Sequence, residues 1–280
     1  MDDIKTKEKN LFNKWAQSLH LSAQDFCPNG GLLFRGKFYL NEPDEYNQYT
    51  WGRHSGNECS LWCNSCKRLM ILTKDLNDDE LWDIREESGG RYNMFENRVP
   101  QDDELLYKGI PFYRKINRWV YGIYNESHGK YPAFNDIKNE YNKLGRFYEN
   151  APLVRINCKR EVGKSSVENH VLKNAMNKDK LFLTEQLKLY KANIILCCGY
   201  TEKTGNIILN FVRENYLHDL KEIESTEDWI YFSNKLNTIV INSYHPSATI
   251  LDDESSYDEL MKNFVRGIAI SGVVFSPIRN

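Results

Sequence analysis

The sequence predicts an α/β protein, a three-layer α/β/α sandwich around a short, mainly parallel sheet, and three observations predict it. Short apolar runs at 68–73 (RLMILT), 153–157 (LVRIN), 193–198 (NIILCC) and 237–243 (NTIVINS) read as strands buried on both faces. Segments of helical periodicity alternate with them, and that order generates parallel strands. The residues that could carry chemistry fall just after the runs, where ligands sit in open α/β sheets.

Taken in order, 5–20 reads as an amphipathic helix with Leu11, Trp15 and Leu19 on one face. Residues 21–66 are rich in Gly, Asn, aromatics and Cys and lack periodicity, so they read as loops and short strands. They make 1–66 an N-terminal extension of a single domain spanning 1–280. After the first strand, 74–108 is an acidic, polar connection with a helical turn around Glu80–Ile84. Helices are expected at 113–124, 135–148 and 181–191. Another is expected at 201–216, with Thr201 as its N-cap, and a last one at 256–270.

A chain of 280 residues with 41% apolar and 27% charged residues can bury a sizeable core under a charged surface. The mixed charges of MDDIKTKEKN lack a secretory h-region, and no apolar run approaches the ~20 residues that span a bilayer. An intracellular, cytoplasmic monomer without membrane attachment is the expectation. The seven cysteines are unevenly spaced, which argues against a disulfide framework in a reducing compartment. At a net charge of −2, a nucleic-acid binder must gather its positive charge on one face.

Asp75, Asn157 and His245 stand at the ends of three predicted strands. Alone, each has an ordinary reading as a turn former, a cap or a hydrogen-bonded residue. Together they place a carboxylate, an amide and an imidazole around one cleft, a set suited to N-glycosidic hydrolysis. A carboxylate orients water and stabilises a cationic sugar, a His meets the negative charge of the leaving base, and an amide reads a pyrimidine edge.

These residues also lie in segments that resemble a known family. LMILTKDLN (69–77) resembles the first motif of the uracil-DNA glycosylase superfamily, and SYHPSA (243–248) resembles its His-Pro-Ser motif. Between them, KGIPFYRKINRWV, LVRINCKR and LFLTEQLKLYKANIILCCGYTE resemble, in the family's order, the base-stacking segment, the base-reading strand and the helix–strand–Gly unit of the iron–sulfur members. The resemblance spans roughly 68–250. It implies a uracil-DNA glycosylase-like fold that binds DNA, flips a base and leaves an abasic site. By it Asp75 and His245 are catalytic, Phe112 stacks on the base and Asn157 reads it. Ser247, Thr249 and Ile250 contact DNA around an apolar wedge. Phe112 has an equally ordinary reading as core.

The departures bear on the substrate. Thr73–Lys74 and Leu76 replace the usual motif residues, and Asn77 stands where uracil-specific enzymes carry a Tyr that blocks 5-substituents. The expected base is therefore a bulky 5-modified cytosine, for example glucosylated hydroxymethylcytosine of phage DNA. Plain uracil excision in repair, a non-catalytic binder of modified DNA and an unrelated nucleotide hydrolase stay open, as does a role in repair or in defence against phage. Lys159, Arg160 and Lys164 are expected on DNA phosphates, with a solvated basic turn as the alternative. REVGKSS lacks the Gly at position 158 that a P-loop needs. Asp179 stands where the last cluster cysteine of the iron–sulfur relatives should be, although Cys158 matches another, so no cofactor is expected. His54, Cys59, Cys63 and Cys66 are a minor candidate for structural zinc. A monofunctional enzyme is expected, with Lys74, beside Asp75, the one amine that could form a Schiff base instead.

Overall fold

A computed structural model describes residues 3–41, 48–77, 81–90, 92–94, 110–163 and 167–278. Its centre is a seven-stranded sheet: β1 (Gly30–Leu32), β2 (Leu69–Thr73), β3 (Leu153–Asn157), β4 (Ile194–Cys198), β5 (Lys221–Glu222), β6 (Ile230–Ser233) and β7 (Thr238–Ser243). Their spatial order is β1-β3-β2-β4-β7-β6-β5. The four inner strands, β3, β2, β4 and β7, are mutually parallel, while β1 and the β6–β5 pair join antiparallel at the edges. The four runs expected as strands form this parallel centre.

Strand alternation divides the core into two layers. Met70, Leu72, Val154, Ile156, Ile195, Cys197 and Val240 face one side, packing with Trp15 of α1 (Asp3–Ser18), Trp62 of α2 (Glu58–Asn64) and Tyr190. Leu69, Ile71, Leu153, Ile194, Leu196, Ile239 and Ile241 face the other. There they meet Trp119 of α3 (Pro111–Asn125) and Tyr148, which lies beyond the short α4 (Phe134–Ile137) in α5 (Tyr141–Asn150). The first layer also takes α6 (Asn169–Lys178), α7 (Lys180–Tyr190) and α8 (Ile207–Asn215); the second takes α9 (Asp253–Ser271). Helices on both faces of a largely parallel sheet make three layers. Each fully buried Leu, Ile or Phe contributes about 1.5–3 kcal/mol.

Three expectations need correction. The helix expected at 201–216 starts at Ile207, because Tyr200–Thr201 and Gly205–Asn206 pair as a small hairpin. Its cap is Asn206, whose Oδ1 accepts the N–H groups of Ile208 and Leu209, and not Thr201. The region 135–148 divides into α4 and α5. Residues of the 1–66 extension also join the core: β1 pairs with β3, and α1 buries Trp15.

Candidate active site

The carboxyl ends of β2 and β3 lie side by side, with Thr73 in register with Asn157. The two chains stay in step beyond the strands, as the N–H groups of Cys158 and Lys159 donate to the carbonyls of Thr73 and Lys74, each at 2.8 Å. On the outer side, Asn29 receives the Asn157 N–H and returns its Nδ2 to the Asn157 carbonyl, both at 2.8 Å. Gly30 permits this approach: its φ is 123°, and a Cβ there would lie 2.1 Å from the Arg155 carbonyl oxygen. Asn157 is thereby fixed at the sheet end, 1% exposed as a residue.

Buried polar atoms without hydrogen-bond partners gather at this end of the sheet. They include Asp75 Oδ2, Asn157 Nδ2, Ser243 Oγ and Arg155 Nε. Arg155, Asn157, Thr73 and Ser243 continue the alternation of the face that carries α3. Such atoms cost free energy unless a water or another polar group meets them, which makes this strand end the candidate for a polar ligand. The sequence reading missed Arg155 and Ser243; the charge set within the apolar run LVRIN was the available signal.

The Asp75 carboxylate is nearly buried and lies 3.6 Å from Lys159 Nζ, an ion pair too long for a hydrogen bond. Burial raises its pKa above the usual carboxylate value, against the opposing pull of Lys159 and Lys74. Burial likewise lowers the pKa of Lys74.

His245 follows β7. Burial first, then the positive charges of Arg155 and Lys74, push its pKa down to about 4, so the imidazole is neutral at neutral pH. Its Nδ1 accepts the Ser247 N–H at 3.2 Å, which puts the ring proton on Nε2. The His245 ring stands 5.6 Å from that of Phe112, tilted by 45°. The Arg155 guanidinium lies over the Phe112 ring at 4.4 Å and is itself paired with Glu87 at 2.5 Å. Tyr148 donates to the second oxygen of Glu87 at 3.1 Å.

Ser247, Thr249 and Ile250 are exposed, Ile250 by 56%. The loop bearing them is held from α3 by Lys115, whose Nζ donates to the carbonyls of Ala248 at 2.6 Å and Leu251 at 2.8 Å. Asn77 lies in a two-residue strand with Leu76 that pairs with Val162–Gly163, but its side chain is outside the described residues, as is the whole of Lys164. Arg160 is half-buried with its guanidinium over Phe26 at 5.4 Å.

Lys159 corrects an expectation. It is buried at 7% exposure, and its ammonium donates to the carbonyls of Glu161 and Val162 and faces Asp75, which places it away from solvent and from any phosphate. The zinc candidate is corrected too. Cys59 is buried, Cys66 is exposed and His54 packs on Tyr39 at 4.6 Å. Among the described residues no group of three or more His, Cys, Asp or Glu side chains could hold a metal ion. Asp179 accepts a hydrogen bond from Trp15 Nε1 at 3.2 Å, and Cys158 packs in the core with its thiol pushed up to about 12 by burial. Among the described residues no helix is long and apolar enough to cross a membrane.

Comparison with family models, with curated proteins and with solved structures gives no match to this chain.

Proposed function

We propose that this chain is a monofunctional DNA glycosylase, of the uracil-DNA glycosylase type, that hydrolyses the N-glycosidic bond of a flipped-out pyrimidine. The observation that carries this reading is a buried Asp75 carboxylate oxygen that accepts no hydrogen bond and a buried Asn157 amide nitrogen that donates none, on adjacent strand ends.

In this reading Asp75 orients the attacking water and stabilises the positive charge that develops on the deoxyribose as its bond to the base breaks. The electron pair of that bond leaves with the base. His245, neutral and protonated on Nε2, donates a hydrogen bond to the base oxygen on which the negative charge collects. Arg155, paired with Glu87, lies close enough for its charge to act on His245 and keep that ring neutral. Asn157 reads the base edge, and the exposed Ile250 is the wedge that fills the gap in the duplex. Phe112, expected to stack on the base, is instead 7% exposed in the core with the Arg155 guanidinium over its ring, and backs the site from within.

The preferred base is a bulky 5-modified cytosine, on the ground that position 77 carries Asn where a blocking Tyr would exclude 5-substituents. The test is abasic-site formation on matched DNA containing uracil, thymine, cytosine, 5-hydroxymethylcytosine or its glucosylated form. Wild type, Asp75→Ala and His245→Ala are compared. Release of a modified cytosine, lost in both variants, is the expected result. Release of uracil alone returns the chain to base-excision repair. No abasic sites on any substrate sink the glycosylase reading and favour a non-catalytic binder of modified DNA.

A further inference from the structure

Two N–H bonds of the Lys159 ammonium go to the carbonyls of Glu161 at 3.0 Å and Val162 at 2.5 Å. Its remaining side faces Asp75 Oδ2 at 3.6 Å, and both charged side chains are less than one-tenth exposed. A lysine that serves DNA phosphates keeps its ammonium in solvent; this one folds back over the end of its own strand. We propose that Lys159 is a positioning residue that keeps the Asp75 carboxylate ionised and aimed, and that it neither contacts DNA nor attacks the sugar.

Among the described residues the charged groups acting on Asp75 are Lys159, from the neighbouring strand end, and Lys74, beside it in the chain. Burial opposes the ionised form, and the charges of Lys159 and Lys74 pull the other way, so the two lysines hold the carboxyl's pKa below where burial alone would put it. Lys159 is the better placed of the two because its ammonium is tethered. Two carbonyls and a carboxylate surround it, all of them acceptors. A neutral amine presenting a lone pair to the sugar does not fit that nest, which separates Lys159 from a Schiff-base nucleophile.

The test compares the full-length wild type with Lys159→Met, Lys159→Gln and Lys159→Arg. Gln keeps a donor for the carbonyls without the charge and serves if Met does not fold. In carboxyl-carbon NMR the Asp75 titration should move up by about one unit or more in Met or Gln, and return towards wild type in Arg. Base release should move its acidic limb in the same direction by the same amount; this arm, unlike the NMR, rests on the glycosylase reading. An Asp75 midpoint unchanged by loss of the lysine charge overturns the role, whatever the activity. A shifted midpoint in a protein that releases no base keeps the Lys159–Asp75 coupling and removes the glycosylase reading above it. A borohydride-trapped DNA adduct that disappears in Lys159→Met or Lys159→Gln replaces the positioning role with a nucleophile.

Discussion

The Thr73 hydroxyl hydrogen-bonds to the Oδ1 of Asn157 and also lies 3.4 Å from the Ile156 carbonyl oxygen. One hydroxyl proton thus has two acceptors. Spent on Asn157, it holds the amide with Nδ2 free to donate, on the glycosylase reading, to a base. Spent on Ile156, it leaves the Thr73 oxygen able to accept from a turned-over amide, whose Oδ1 then suits the exocyclic amine of a cytosine. Thr73→Val removes the proton at nearly constant shape. Discrimination between cytosine-derived and uracil-derived bases should narrow by up to about tenfold, the worth of one hydrogen bond. Competitive base release from DNA carrying both measures it.

His245 titrates at about 4 in the folded chain against an ordinary value of 6.5. Above pH 6.5 it is neutral in both folded and unfolded states, and its contribution to stability is fully present. As pH falls from 6.5 towards 4, the unfolded chain takes up a proton that the folded chain refuses, and stability is lost by at most about 3 kcal/mol. His245→Gln should flatten that part of the slope in urea titrations at pH 7 and 4.5. An unchanged slope refutes the assignment.

Arg155 and Glu87 form a buried pair beneath Phe112. Arg155→Met strands the Glu87 charge and should cost about 3–5 kcal/mol in urea unfolding. Adding Glu87→Gln should recover most of that loss, because the stranded charge and not the missing contact is the main penalty.

Ile250 stands out from the loop after His245. If it wedges into the gap that a flipped base leaves, Ile250→Gly should slow base release from duplex DNA by about tenfold or more and leave single-stranded substrate nearly unaffected. Equal slowing on both substrates removes the wedge.

The parallel centre was legible because each inner strand is a continuous apolar run, which a strand covered on both faces requires. Gly30–Leu32 and Lys221–Glu222 were not legible; they are two or three residues long and acquire strand character only by pairing at an edge. Asn206 lay hidden behind Thr201 because both are good caps, and the hairpin between them decides which one serves. The strand-end positions of Asp75, Asn157 and His245 could be read from the runs before them. The burial of Lys159 could not: a lysine after a strand looks solvated until its neighbour across the sheet is known to be a buried carboxylate.

Lys115 reaches from the helix that carries Phe112 to both shoulders of the loop that carries Ile250. The helix that holds Phe112 in the core and the exposed apolar tip therefore share a single bracket. With the loop braced in this way, prying a base out of a duplex would be work done by docking the whole body against DNA, with the lever set at a fixed distance from the cup that receives the base. On the glycosylase reading, cutting that brace should weaken base release more than DNA binding.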